Sequence, residues 1–263
     1  MFAALGTLSL EAFIQQKKRD DNLWMFLHVP KTAGSSFGSE LARARQPYRN
    51  IHVDFTDASV PIRKQMDLAV QKFIGELDER TFRSCSGHFR ISHADAIARK
   101  CPNSDLVTFL RHPVDRVISN YRYARTPAHP YHKEFRERFP DLESYVDMPG
   151  RQNTMFQFLI RDQAATIPKA IAYLDERYAF IGLVEMYSMS FNVIFRLFGE
   201  NRLPTFHTRR TLATAENAVM VTPEVRRIIS ELNWKDVALY EHVRERLARK
   251  HDEWERFNTI RLK

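Results

Sequence analysis

The stretch "WMFLHVPKTAGSSF", Trp24 to Phe37, decides how the rest of the chain is read. The apolar run "LWMFLHV" (23–29) is short and bounded by polar residues, which suits a strand buried on both faces. Pro30 closes it, Lys31 follows at once, and Thr32, Ala33, Gly34, Ser35 and Ser36 lead into Phe37 and Leu41 at helical spacing. A strand, a small-residue loop and a helix in that order can cradle an anion. Backbone N–H groups and the helix N-terminus point at it, and small residues let it approach. Gly34 permits close contact, Thr32, Ser35 and Ser36 add hydroxyls, and Lys31 supplies a compact charge. The nucleoside-triphosphate loop GxxxxGK[ST] sets its lysine after the second glycine. Here the lysine precedes the loop's only glycine, so the loop is of another kind, or is a plain strand–helix turn.

Outward from this stretch, strand and helix patterns alternate. Strands are expected at 50–55, 82–89, 105–110 and 179–184, each short and apolar. Between and after them, helical spacing covers 62–77, 92–100 (with Ser92 as its cap), 113–125, 188–199 and most of 223–250. The alternation predicts an α/β fold, a mostly parallel central sheet covered on both faces, in one domain spanning 1–263. The segment Thr126–Pro130 reads as a surface loop.

Composition narrows the function classes. A chain of 263 residues can bury a full α/β core, and its net charge of +8 favours a polyanionic partner: a nucleotide, an acidic or sulfated glycan, nucleic acid or a membrane surface. No apolar run approaches the roughly 18 residues of a membrane span. The N-terminal segment carries Glu11 and no leading positive charge, which argues against a secretory signal. Cys85 and Cys101 are too few for a disulfide framework or a metal site and read as reduced, packed thiols.

A second motif is "DLVTFLRHPVDRVISNYRYAR" (105–125). The strand delivers Arg111 and His112 to its carboxyl edge, and Pro113 opens a helix. In a parallel α/β sheet that edge is where ligands bind, so Arg111 shares a rim with Lys31. A guanidinium there can grip a phosphate bidentately, and Ser119, further along the helix, can add a hydroxyl. The alternative is a structural Arg111–Asp115 ion pair with Ser119 merely packed.

These two motifs resemble the 5′-phosphosulfate loop and the 3′-phosphate motif of the PAPS-dependent sulfotransferases, closest to carbohydrate sulfotransferases of the heparan sulfate 2-O-sulfotransferase type. "SGHF" (86–89) resembles the segment carrying that family's catalytic histidine, "FIGLVEMYSMSFNVIFRLFG" (180–199) a later strand–helix, and "FHTRRT" (206–211) a basic loop over the nucleotide. The resemblance spans roughly 23–245. It implies a three-layer sandwich of the P-loop-NTPase-like sulfotransferase fold, with PAPS as co-substrate and PAP as product. It further implies a nucleotide site of Lys31, Thr32, Ala33, Gly34, Ser35, Ser36, Arg111, Ser119, Arg209, Arg210 and Thr211. The basic segment 201–215 otherwise reads as a solvated loop.

Sulfuryl transfer builds negative charge on the leaving phosphate oxygen, and Lys31 is placed to meet it. A sugar hydroxyl needs a base that titrates near neutrality. His88 at the end of its strand, beside Gly87, fits that role, with Glu185 as the rival base; His88 satisfied by backbone is the structural alternative. His28 and His112 read as structural. The chemistry demands no metal. Arg90, Tyr121, Arg122, Arg125 and Asn153 are the expected acceptor contacts, because aromatic and basic residues interleave there and suit a glycan. The reading is therefore a transferase acting on a glycan, capsular or otherwise at the cell surface, in a bacterial cytoplasm rather than a Golgi lumen. It expects no nucleic-acid partner and allows peripheral membrane contact. A kinase or NTPase, and a non-catalytic polyanion binder, are the competing classes.

Overall fold

A computed structural model describes residues 1–53, 59–205, 214 and 217–260. Among these, five strands form one sheet in the order β2-β3-β1-β4-β5: β1 Leu23–Leu27, β2 Tyr48–Ile51, β3 Ser84–Gly87, β4 Ser104–Leu110 and β5 Phe180–Leu183. All four pairings are parallel. Every residue of β1, β3, β4 and β5 is buried, which is why the central strands read as unbroken apolar or small-residue runs.

The helices are α1 Leu10–Lys17, α2 Gly34–Ala44, α3 Ile62–Glu79, α4 Ile91–Lys100, α5 Pro113–Ala124, α6 His132–Arg138, α7 Leu142–Val146, α8 Thr154–Leu159, α9 Ile167–Arg177, α10 Tyr187–Leu197, α11 Pro223–Leu232 and α12 Trp234–Ile260. Parallel neighbours need crossovers, and the right-handed rule puts α2 on one face of the sheet and α3, α4 and α9 on the other, while contacts with α2 set α10 beside it. On the first face Phe26 of β1 meets Phe37 of α2 with ring centroids 4.6 Å apart, and Phe37 in turn meets Phe191 and Phe195 of α10. A second, smaller apolar cluster lies beside the sheet, where Val117, Tyr121, Phe135, Tyr145 and Ile229 join α5, α6, α7 and α11.

The expected strands and helices are present, with shifted ends. β2 begins at Tyr48 and its register pairs Tyr48 with Ser84. α4 starts one residue before Ser92, and its cap is Arg90, whose N–H donates to His93 Nδ1 at 3.0 Å. α10 stops as expected, with Gly199 in the left-handed region at φ 91°. The tail splits at Asn233 into α11 and α12. Cys85 is buried, Cys101 half-buried, and both are free thiols. No helix among the described residues is long and apolar enough to cross a membrane.

Candidate active site

Because the strands are parallel, their carboxyl ends share one rim. Along it stand His52 after β2, His88 after β3, the 28–34 loop after β1, Arg111 after β4 and Glu185 after β5. The chain leaves β1 toward β2 and returns past it to β4, so the crevice between β1 and β4 is the topological switch point where such sheets bind ligands. Lys31 and Arg111 flank it.

The loop after β1 is strained and braced. Lys31 and Ala33 both hold positive φ, 71° and 60°, although neither is glycine. Alternating left-handed residues with ordinary ones curls the backbone so that successive N–H groups converge. Thr32 is wholly buried and its hydroxyl donates to the Val29 carbonyl at 2.9 Å. α2 starts at Gly34 with no side-chain cap, which leaves its positive end for an anion. A Cβ on Gly34 would lie 1.9 Å from Cδ2 and 2.0 Å from Nε2 of His28, so glycine is required here by the imidazole packed on its Cα. Ser36 is buried and Ser35 exposed.

Lys31 is half-buried, and its Nζ sits 4.1 Å from the centroid of the Tyr123 ring. Burial first, and then the charge of Arg111, lower its ammonium pKa to about 8. Arg111 is also half-buried; its Nη1 donates, at a long 3.4 Å, to the carbonyl of Lys31. No carboxylate pairs with Arg111 among the described residues. Asp115 pairs instead with Arg226 at 3.1 Å, so the expected structural alternative of an Arg111–Asp115 pair is not what forms. Ser119 lies half-buried on α5, one turn before Tyr123 and on the same helix face.

His88 follows β3 and is open to solvent on one side while protein crowds the others, as for a residue in a cleft wall. Its Nδ1 lies 2.7 Å from the His28 carbonyl oxygen. A carbonyl can only accept, so Nδ1 carries the proton and Nε2 keeps its lone pair. Burial lowers the His88 pKa against the opposing effect of that hydrogen bond, and His52 and Lys31 lower it further, so the ring is neutral at pH 7. The His28 ring stacks on Phe26 and approaches His88 to 4.2 Å between centroids; burial, His88 and Lys31 hold it well below the ordinary imidazole range. Gly87 is closely packed: a Cβ there would come within 2.3 Å of the Ile51 carbonyl oxygen.

Glu185 accepts from the His112 N–H at 2.8 Å and also bonds the Tyr240 hydroxyl. It thus caps the start of α5. His112 packs edge-on against Tyr240 at 5.3 Å.

Three expected acceptor contacts are corrected. Tyr121 is buried and its hydroxyl donates to the Pro140 carbonyl at 3.2 Å. Arg125 donates to the Tyr121 hydroxyl and to the Phe139 carbonyl, each at 3.0 Å. Both hold the 121–140 corner together. Asn153 Oδ1 accepts from the N–H of Lys235 at 2.9 Å and of Asp236 at 3.2 Å, so it caps α12. Arg90 and Arg122 stay available: each is half-buried and forms no ion pair with a described residue, and Arg90 lies over the Phe158 ring at 5.3 Å. Arg209, Arg210 and Thr211 lie outside the described residues. The chain just before them is anchored, since Thr205 donates its N–H to Glu40 of α2 at 3.2 Å. Sequence reasoning missed Tyr123 and the pairing of His28 with His88. The i, i+4 spacing from Ser119 to Tyr123 was the available signal for the first.

A family model described as "Sulfotransferase family" matches residues 18–242, which contain the whole rim. The chain belongs to the sulfotransferase family. Among solved structures, the crystal structure of mouse sulfotransferase SULT7A1 complexed with PAP aligns with 87% of this chain and 89% of its own, at 12% identity and a TM-score of 0.42. No curated protein matches the sequence.

Proposed function

We propose that this sulfotransferase, acting as one domain over 1–263, transfers a sulfuryl group from PAPS to a hydroxyl of a glycan and releases PAP. The observation that carries the donor assignment is the joining of the two anion elements: Arg111, in no ion pair with a described carboxylate, donates to the main chain of Lys31 in a loop of alternating left-handed residues that leads into an uncapped helix end. Lys31, the 32–36 backbone and the α2 terminus suit the phosphosulfate. Arg111 and Ser119 suit the 3′-phosphate, with the segment 209–211 as an added basic contact.

In the reaction, Nε2 of His88 takes the proton of the acceptor hydroxyl as its oxygen forms a bond to sulfur. The bond from sulfur to the bridging phosphate oxygen breaks, and Lys31 meets the charge left on that oxygen. Arg90, two residues beyond His88, and Arg122 on α5 are the cations left to hold an acidic acceptor. That favours a glycan bearing carboxylate or sulfate, of the capsular or cell-surface kind, handled in a bacterial cytoplasm.

A thermal-shift panel tests the donor, because a ligand bound only by the native state raises its apparent stability. PAP without added metal raises Tm, while ATP with Mg2+ and single-stranded DNA do not. A shift with ATP and Mg2+ alone would return the kinase reading. Transfer of label from PAPS to acidic rather than neutral glycans tests the acceptor.

A further inference from the structure

We propose that Tyr123 is the positioning residue for Lys31, its ring face holding the lysine ammonium in the mouth of the crevice where the leaving phosphate oxygen must sit. The proposal rests on the sulfotransferase reading for its kinetic consequence but not for its geometry. Lys31 lies in the loop between β1 and α2 with a left-handed backbone, φ 71°, and belongs to neither element. The steering comes from across the crevice. The Nζ stands 4.1 Å from the Tyr123 centroid, well inside cation–π range. No carboxylate pairs with Lys31 among the described residues, and Arg111 bonds only its carbonyl, so the ring is the contact that fixes where the charge stands.

Tyr123 is itself held. Its hydroxyl donates to the Ala128 carbonyl at 3.3 Å, its ring meets His129 edge-on at 5.7 Å, and the Thr126 N–H and hydroxyl both donate to its carbonyl. The 126–129 turn, which the sequence marks only as a surface loop, therefore braces the platform. A carboxylate in place of the ring would hold the ammonium more tightly and compete with the phosphosulfate. An aromatic face holds it loosely enough to release it toward a stronger anion, while shielding it from water. Tyr123 touches neither donor nor acceptor in this account and acts through Lys31.

The test compares Tyr123→Ala with Tyr123→Phe, which keeps the ring face. Transfer by Tyr123→Ala falls roughly tenfold in kcat, the scale of one cation–π contact, with PAP affinity within about twofold of the parent. Tyr123→Phe recovers most of the loss. A second readout needs no acceptor: trace acetylation of Lys31 with acetic anhydride, followed across pH by mass spectrometry of its peptide. In the parent and in Tyr123→Phe the amine titrates near 8. In Tyr123→Ala the amine loses its cover, so at a pH well above its titration it acetylates faster than in the parent and in Tyr123→Phe. Parent-like Lys31 labelling at that pH in Tyr123→Ala overturns the proposal, as does a Tyr123→Phe variant that behaves like Tyr123→Ala. A chain that shows the labelling change but no transfer from PAPS to any acceptor keeps the Tyr123–Lys31 assignment and overturns the sulfotransferase reading instead.

Discussion

His88 donates its Nδ1–H to the main-chain oxygen of His28 across 2.7 Å, and this bond decides which nitrogen keeps its lone pair. The His28 N–H already donates to the Gly87 carbonyl at 2.9 Å, so the imidazole continues the β1–β3 ladder one step past its last strand residue. A side chain bonded into a sheet edge is oriented by the whole sheet. That is the rigidity a base needs to wait for an acceptor.

From this follows the first prediction. His88→Ala lowers the transfer rate on the order of 10²–10⁴-fold and leaves PAP affinity nearly unchanged, because the base faces the acceptor. Glu185→Gln keeps an oxygen for the His112 N–H and loses far less. Rates and PAP isotherms for both variants in one buffer check this; full activity in His88→Ala with none in Glu185→Gln would move the base to Glu185.

Arg111→Ala weakens PAP binding by about 1.5–3 kcal/mol, the scale of a hydrogen bond to a charged group. The guanidinium forms no ion pair with a described carboxylate, and Asp115 and Glu185 act on it only at longer range, so its N–H groups are available to a phosphate. Calorimetric titration with PAP, with and without EDTA, reads both the loss and the indifference to metal. Parent-like affinity in the variant would leave Arg111 as only a brace for Lys31.

The strands and the two strand-end cations were legible because the physics is local. A strand buried on both faces must be apolar or small along its length, and the residue after it must lie at the rim. Other features needed the third dimension. α9 buries only Ala170 and Leu174, too few apolar positions to announce a helix, and α6, α7 and α8 are each about two turns or less. Tyr121 and Arg125 were misread because aromatic and basic residues interleave on either face of a helix. Tyr121 is two residues from Ser119 and so points elsewhere, whereas Tyr123 is four residues away and shares its face. The bond from the His112 N–H to Glu185 joins two strand ends and could not be read from the sequence.

The cap role of Asn153 predicts a stability effect without a catalytic one. Asn153→Ala strips two N–H groups at the start of α12 of their acceptor and costs about 1–2 kcal/mol, as lost caps do. Denaturant melts read the loss, while the KM for acceptor stays at the parent value. A raised KM with unchanged stability would restore Asn153 to the acceptor site.

Gly34 and His28 form a steric pair that a mutant cycle can expose. Gly34→Ala sets a methyl 1.9 Å from the His28 ring, and overpacking of this kind costs about 1–3 kcal/mol. His28→Ala alone removes the ring that stacks on Phe26 and packs at a tilt against His88. Combined, the two changes cost less than their sum, because the methyl fills part of the space that the ring leaves. Strict additivity in the melts would mean that the imidazole is not what excludes a side chain at position 34.

The pH dependence of kcat/KM reports both titrating groups in the free enzyme. Protonation of Nε2 removes the base, and the His88 pKa is lowered mainly by burial, so the acidic limb falls below the ordinary imidazole range. Loss of the Lys31 proton removes the cation that meets the leaving oxygen, so the alkaline limb stands near pH 8, well under the free-lysine range. The bell is therefore narrow in kcat/KM. In kcat the donor is already bound, and its anionic phosphosulfate beside Lys31 favours the charged ammonium, which moves the alkaline limb upward. The same burial that lowers the Lys31 pKa means the folded state binds this proton less tightly than the unfolded chain, so this group's contribution to stability increases as pH rises through about 8. Lys31→Met accordingly abolishes that increment and melts slightly higher than the parent at pH 7, while its transfer rate falls on the order of 10²–10³-fold. Paired pH–rate and pH–Tm curves for the parent and Lys31→Met check both signs at once. An alkaline limb that stays at the same pH in kcat and kcat/KM, or a Lys31→Met variant that melts well below the parent at pH 7, would show that the ammonium is not a strained, donor-seeking charge.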